Sequence, residues 1–214
     1  MFRAIVETQW KWTRGYILIA TVSAFAIPLA SLQSAYRTDN ANMFVSAMQS
    51  WGVWYALLAA ATGLSAAFTA WSHDHRGRHV YALILPVTRA RYALMRLGAG
   101  ALFLSPVVAS LLLGALAVAA FGVIPEGLRV YAFAITVRFA LAALVAYALF
   151  FAIASATSRA AGVVLGLIAA VVLLSYLGSV ANLPVDFLGK LGRALFESPG
   201  VFSVFTGRWM LVDA

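Results

Sequence analysis

Five stretches of this chain are apolar for long enough to cross a lipid bilayer, and that constrains its fold more than anything else in the sequence. They fall at about 16–33, 51–71, 98–121, 139–156 and 160–181. A spanning helix needs about 20 predominantly apolar residues. A backbone that crosses lipid must satisfy its own hydrogen bonds, so apolar runs of this length are helices. With 64% hydrophobic and 10% charged residues in 214 positions, no soluble catalytic domain fits beside the spans. The reading is an all-α integral membrane protein of about five to six transmembrane helices, forming a single transmembrane domain over 1–214.

The connectors order these spans. The link after the first is polar and weakly charged, and the link from the third to the fourth opens with turn chemistry at Pro125 and Gly127. Only Thr157, Ser158 and Arg159 separate the fourth from the fifth, so those two are antiparallel neighbours. Residues 1–15 carry Arg3, Glu7, Lys11 and Arg14 at helical spacing, with Phe2, Ile5 and Trp12 opposite. Such a face reads as an interfacial helix, with the polar first turns of span one as the alternative. The tail, 182–214, is only moderately apolar and contains Pro184 and a turn at 198–200. It reads as an outer tail of short interfacial or re-entrant helices.

Basic residues orient the chain. Placing the N-terminus in the cytoplasm puts Arg3, Lys11, Arg14, Arg76, Arg78, Arg89, Arg91, Arg96 and Arg159 inside and leaves Arg37, Arg129 and Arg138 in the outer connectors. That asymmetry follows the positive-inside rule. The formal net charge of +8 is thereby explained without nucleic acid, and cell-membrane localisation follows. Arg138, at the edge of span four, reads as snorkelling to the outer headgroups. The chain has no cysteine, hence no thiol chemistry. His73, Asp74, His75 and His79 lack a paired ligand set, so no metal site is assigned. No nucleotide-binding loop or catalytic constellation is present, and the chain reads as a non-enzyme without its own cofactor.

Residues 72–97 form the one long basic connector. Val80, Tyr81, Leu83 and Ile84 make a short apolar ridge flanked by cations, Pro86 breaks any helix, and Thr88 can cap a new one leading into span three. A ridge of this kind suits docking into a groove on a soluble partner. Equally, its arginines can be topology anchors and its apolar residues can rest on lipid. Gly162, Gly166 and Ala170 recur every four residues in span five as a helix-packing face. Pro28 and Pro106 lie within spans one and three, where packing is their default meaning.

The amphipathic N-terminal helix, the short charged turn ending span two, and Gly77 followed by the Leu85–Tyr92 string LPVTRARY resemble ABC transporter permeases of the ABC-2 exporter type. The resemblance implies that 72–97 is a coupling segment, with Leu85, Pro86, Arg89, Arg91 and Tyr92 at the cleft of an ATP-binding cassette subunit. It further implies a second permease chain, identical or homologous, with ATP and Mg bound by the partner ATPase. That family usually has six spans, whereas five are drawn here. The alternative, from a different class, is a non-transporting accessory or structural subunit that recruits a cytoplasmic partner. The spans hold few polar residues (Ser65, Thr69, Ser105, Ser110 and Ser175), which name no substrate.

Overall fold

The structure, a computed structural model, describes residues 2–36, 40–76, 88–155, 187–197 and 199–213, with a few isolated helical positions between 163 and 173. Its elements are mainly helical. α1 spans Phe2–Ala35, α2 Ala41–Ser50, α3 Gly52–Arg76 and α4 Arg89–Phe121. The strand β1, Arg129–Val130, precedes α5, Ala132–Ser155. α6, Phe187–Phe196, a 3₁₀ turn at Ser203–Phe205 and β2, Val212–Asp213, complete the described part. Among the described residues four helical segments are long and apolar enough to cross a membrane: Phe2–Ala35, Ala41–Trp71, Ala90–Phe121 and Ala132–Ser155. The expected fifth span, 160–181, lies outside the described residues apart from those isolated positions.

The local chemistry sets the helix boundaries. Asn40 caps α2 by accepting from the Asn42 N–H at 3.0 Å, and Thr88 caps α4 by accepting from the Arg91 N–H at 3.4 Å. α1 is continuous from Phe2 to Ala35, through both Gly15 and Pro28. At 1.5 Å per residue it is about 51 Å long, well beyond a hydrocarbon core of about 30 Å. Residues 2–15, expected as an interfacial helix or as the polar first turns of span one, continue without a break into the apolar part of α1. Pro106 is likewise contained within a continuous α4. The turn expected at Pro125 and Gly127 closes by the Leu128 N–H donating to the Pro125 carbonyl at 3.2 Å, with Gly127 at φ +89°. That left-handed value strains any residue with a Cβ.

Two compact units divide the chain, residues 1–151 with 208–214, and residues 152–207. In the first, α1 and α4 run parallel: the Ser110 hydroxyl donates to the Thr21 carbonyl at 2.7 Å, and the Val123 N–H donates to the Tyr36 hydroxyl at 2.7 Å. α3 runs antiparallel to both, the Trp51 indole just before it donating to Ser34 at 2.9 Å and its Thr69 meeting Thr13 near the other end. α5 packs on α3 and α4 through small residues. A Cβ at Gly63 would lie 2.6 Å from the Ala143 carbonyl oxygen, so only glycine lets these backbones meet. β1 and β2 pair antiparallel, Arg129 opposite Asp213. The segment 208–213 thus straps the helix ends, Trp209 lying against Gly52.

All six tryptophans sort to two levels of this unit. Trp10, Trp12 and Trp71 lie near the end where Thr13 meets Thr69, and Trp51, Trp54 and Trp209 near the end where Trp51 meets Ser34. From Trp12 to Ser34 along α1 is about 33 Å at 1.5 Å per residue, close to the thickness of the hydrocarbon core. Tryptophan favours the membrane–water boundary because its ring is apolar and its N–H is polar. Between the two levels, Leu18, Ile19, Val22, Phe68, Leu102, Leu113, Leu141 and Leu144 are exposed, the surface a helix presents to lipid.

In the second unit, α6 carries Lys190 and Arg193, both exposed, among apolar residues. The Thr206 hydroxyl lies 2.9 Å from the Phe196 carbonyl, and the rings of Phe196 and Phe202 are 5.4 Å apart.

Candidate functional site

At the Trp71 end, the first unit holds a charged side chain inside the helix bundle. Arg96, on α4, is only 6% exposed. α4 starts at the Thr88 cap, which places Arg96 two turns in, on the face turned to α3. Its guanidinium donates to the Ala70 carbonyl near the end of α3 and lies over two rings, 5.0 Å from the Tyr92 centroid and 5.4 Å from the Trp71 centroid. Tyr147 ties α5 to the same turn of α4, its hydroxyl 3.0 Å from the Leu97 carbonyl and 3.3 Å from that of Arg96. Phe151 stacks beside both, 5.3 Å from Trp71 and 5.6 Å from Tyr147.

A buried charge is costly unless it is bonded, and this one is met by a carbonyl dipole and two ring quadrupoles. A planar guanidinium suits such a box where a compact ammonium does not. The arrangement ties α3, α4 and α5 together near the C-terminal end of α3 and the N-terminal end of α4, each of which takes in part of 72–97.

Beside the clamp is a layer of buried polar groups. Gln9 is 4% exposed, and neither side-chain amide atom has a hydrogen-bond partner among the described residues. One turn on, the buried Thr13 hydroxyl donates to the Gln9 carbonyl at 2.6 Å and lies 3.2 Å from the Thr69 hydroxyl. Nothing in the apolar periodicity of 1–15 marked Gln9 as buried. The signal that could have found it is its spacing from Thr13, which sets two polar residues on one helical stripe.

The residues expected to dock a partner divide into two groups. Val80, Tyr81, Leu83, Ile84, Leu85 and Pro86 lie outside the described residues, and Arg89 is placed in the first turn of α4 with its side chain undescribed. Arg91 is exposed on that turn. Tyr92 is 4% exposed and forms one wall of the Arg96 box. Within this chain its ring serves the clamp. Of the packing face, Gly162 is outside the described residues, Gly166 has no described atom within 4 Å of where a Cβ would stand, and Ala170 is exposed. The close approaches within the chain are made by Gly63 against α5 and Gly114 against the Phe25 backbone. Among the described residues there is no group of three acidic, histidine or cysteine side chains able to hold a metal.

No protein-family model, curated protein or solved structure matches this chain.

Proposed function

We propose that this chain is the membrane-spanning permease subunit of an ATP-driven exporter of the ABC-2 type, coupled to separate ATP-binding cassette subunits through residues 72–97. The observation that carries this reading is the Arg96 clamp. It binds the last turns of α3, the first turns of α4 and the later turns of α5 into one block. A connector that only anchors topology has no need of a rigid base. One that transmits the closure of an ATPase dimer does, because displacement is passed on only by elements that cannot deform separately.

In this reading the N-terminus and the clamp face the cytoplasm, in the inner membrane of a bacterial cell. Two such chains, identical or paired with a homologue, form the pathway, and ATP and Mg stay on the partner. This chain hydrolyses nothing. Lipids, hydrophobic peptides and drug-like molecules all fit the apolar character of its spans, so the substrate stays open.

Changing Leu83 and Ile84 together to aspartate tests the docking. Charge buried in a protein groove costs several kcal/mol, whereas at a wet headgroup surface it costs little. The double variant should insert normally yet lose co-purification with the ATP-binding subunit. R89A/R91A should weaken association less and reduce its salt dependence. If both variants retain the partner and its stimulated ATPase rate, the connector is a topology anchor and the chain is an accessory subunit.

A further inference from the structure

The opposite end of the first unit carries a second arginine with a different setting. Arg138, on α5, donates from Nη1 to the Arg208 carbonyl at 2.6 Å and lies 4.7 Å from the centroid of the Trp209 ring. It is half-buried rather than enclosed. Between α5 and the strap 208–213 is an open cleft of about 240 Å³, lined by Tyr131, Ile135, Arg138, Arg208, Met210 and Asp213 among others. At about 30 Å³ per liquid water this is room for roughly eight waters, ample for a tetrahedral anion. The lining includes Arg138, Arg208 and Asp213, and the strand register sets Arg129 opposite Asp213, so three arginines stand against one carboxylate in this part of the chain.

We propose that this cleft binds a phosphate ester, presented to it by a phospholipid headgroup. Three features converge on that chemistry. Guanidinium forks match phosphate oxygens in bidentate geometry, and Arg138 is already oriented by a carbonyl and an indole face. Trp209, which floors the site, belongs to the tryptophan level where headgroups lie. Further along α5, Val137, Leu141 and Leu144 are exposed at 58%, 52% and 43% at helical spacing, an apolar stripe that can take the acyl chains of the same molecule. A soluble phosphate compound would use the cleft but not the stripe.

Native mass spectrometry of the detergent-purified chain with added phosphatidylglycerol tests this. The wild-type chain should carry bound lipid, and R138Q and R208Q should each bind it about tenfold more weakly, as the loss of a charged hydrogen-bond donor implies. R208Q keeps the strap in place, because Arg138 bonds to the backbone of Arg208, so an unchanged unfolding midpoint separates lost binding from lost structure. R14Q, which removes one charge at the other end, should bind lipid like the wild type. Equal lipid retention by the wild type, R138Q and R208Q would overturn the site. Competition by glycerol 3-phosphate at the same concentration as the lipid would overturn the headgroup assignment and give the cleft to a soluble phosphate ester.

Discussion

The two ends of the first unit use the same device to hold an arginine, a backbone carbonyl with the indole of the next residue. Arg96 has Ala70 and Trp71, and Arg138 has Arg208 and Trp209. What differs is enclosure. Around Arg96 the supports come from α3, α4 and α5, and the guanidinium is sealed. Around Arg138 the carbonyl and ring come from a six-residue strap whose other side is open, and a cleft remains. The same contacts therefore give a structural clamp at one end and an accessible cationic surface at the other. Chemistry follows from what surrounds a residue as much as from its type.

The largest effect expected from this comparison is at Arg96. R96A removes the hydrogen bond to the Ala70 carbonyl and both ring contacts and opens a void inside the bundle, at a cost of about 3 kcal/mol. R138A should cost about 1 kcal/mol or less, because its site is solvated and screened. Unfolding in detergent by denaturant titration measures both, and similar losses for the two would remove the distinction between sealed and open arginines. R96K should rescue little, since an ammonium cannot lie flat between two rings.

A smaller contrast concerns the glycines. G63A forces a methyl group to within 2.6 Å of the Ala143 carbonyl oxygen, and separating α3 from α5 should cost about 2 kcal/mol. G166A meets no described atom within 4 Å and should be neutral or stabilise by up to about 1 kcal/mol through helix propensity. The bulkier G166L and G162L should weaken assembly on native gels if that face meets a second chain. Equal thermal shifts for G63A and G166A would show that the α3–α5 contact is looser than its geometry.

How much of this was legible beforehand depended on whether the cause was local. Apolar runs located the four described spanning helices, Thr88 announced the start of α4, and Pro125 with Gly127 announced the turn, because each of these is decided within a few residues. Span four was drawn from 139, however, and α5 begins at Ala132, because Arg138 was treated as a boundary. A charge ends an apolar window without ending a helix whose backbone bonds continue and whose side chain reaches another segment. α2 was read as part of a polar link, since Asn40 and Asn42 dilute ten residues whose helix is set by a cap. The strap 208–213 carried no period at all, for a two-residue strand exists only through its partner. Gly63 was missed for the same reason. Its requirement comes from α5, eighty residues away, while the regular spacing of Gly162, Gly166 and Ala170 drew attention to a face that meets nothing within the described chain.

The proposed coupling depends on which end faces the cytoplasm, because the clamp can serve a docking segment only if an ATPase can reach it. Native cysteine is absent, so single substitutions report position without background. Ala90→Cys, exposed in the first turn of α4, and Asn42→Cys, exposed in the first turn of α2, mark the two ends. In intact cells an impermeant thiol reagent should label the cysteine at 42 and leave that at 90 unmodified until the membrane is broken. Labelling at 90 with protection at 42 would place the basic connector outside and contradict the coupling to an ATP-binding subunit.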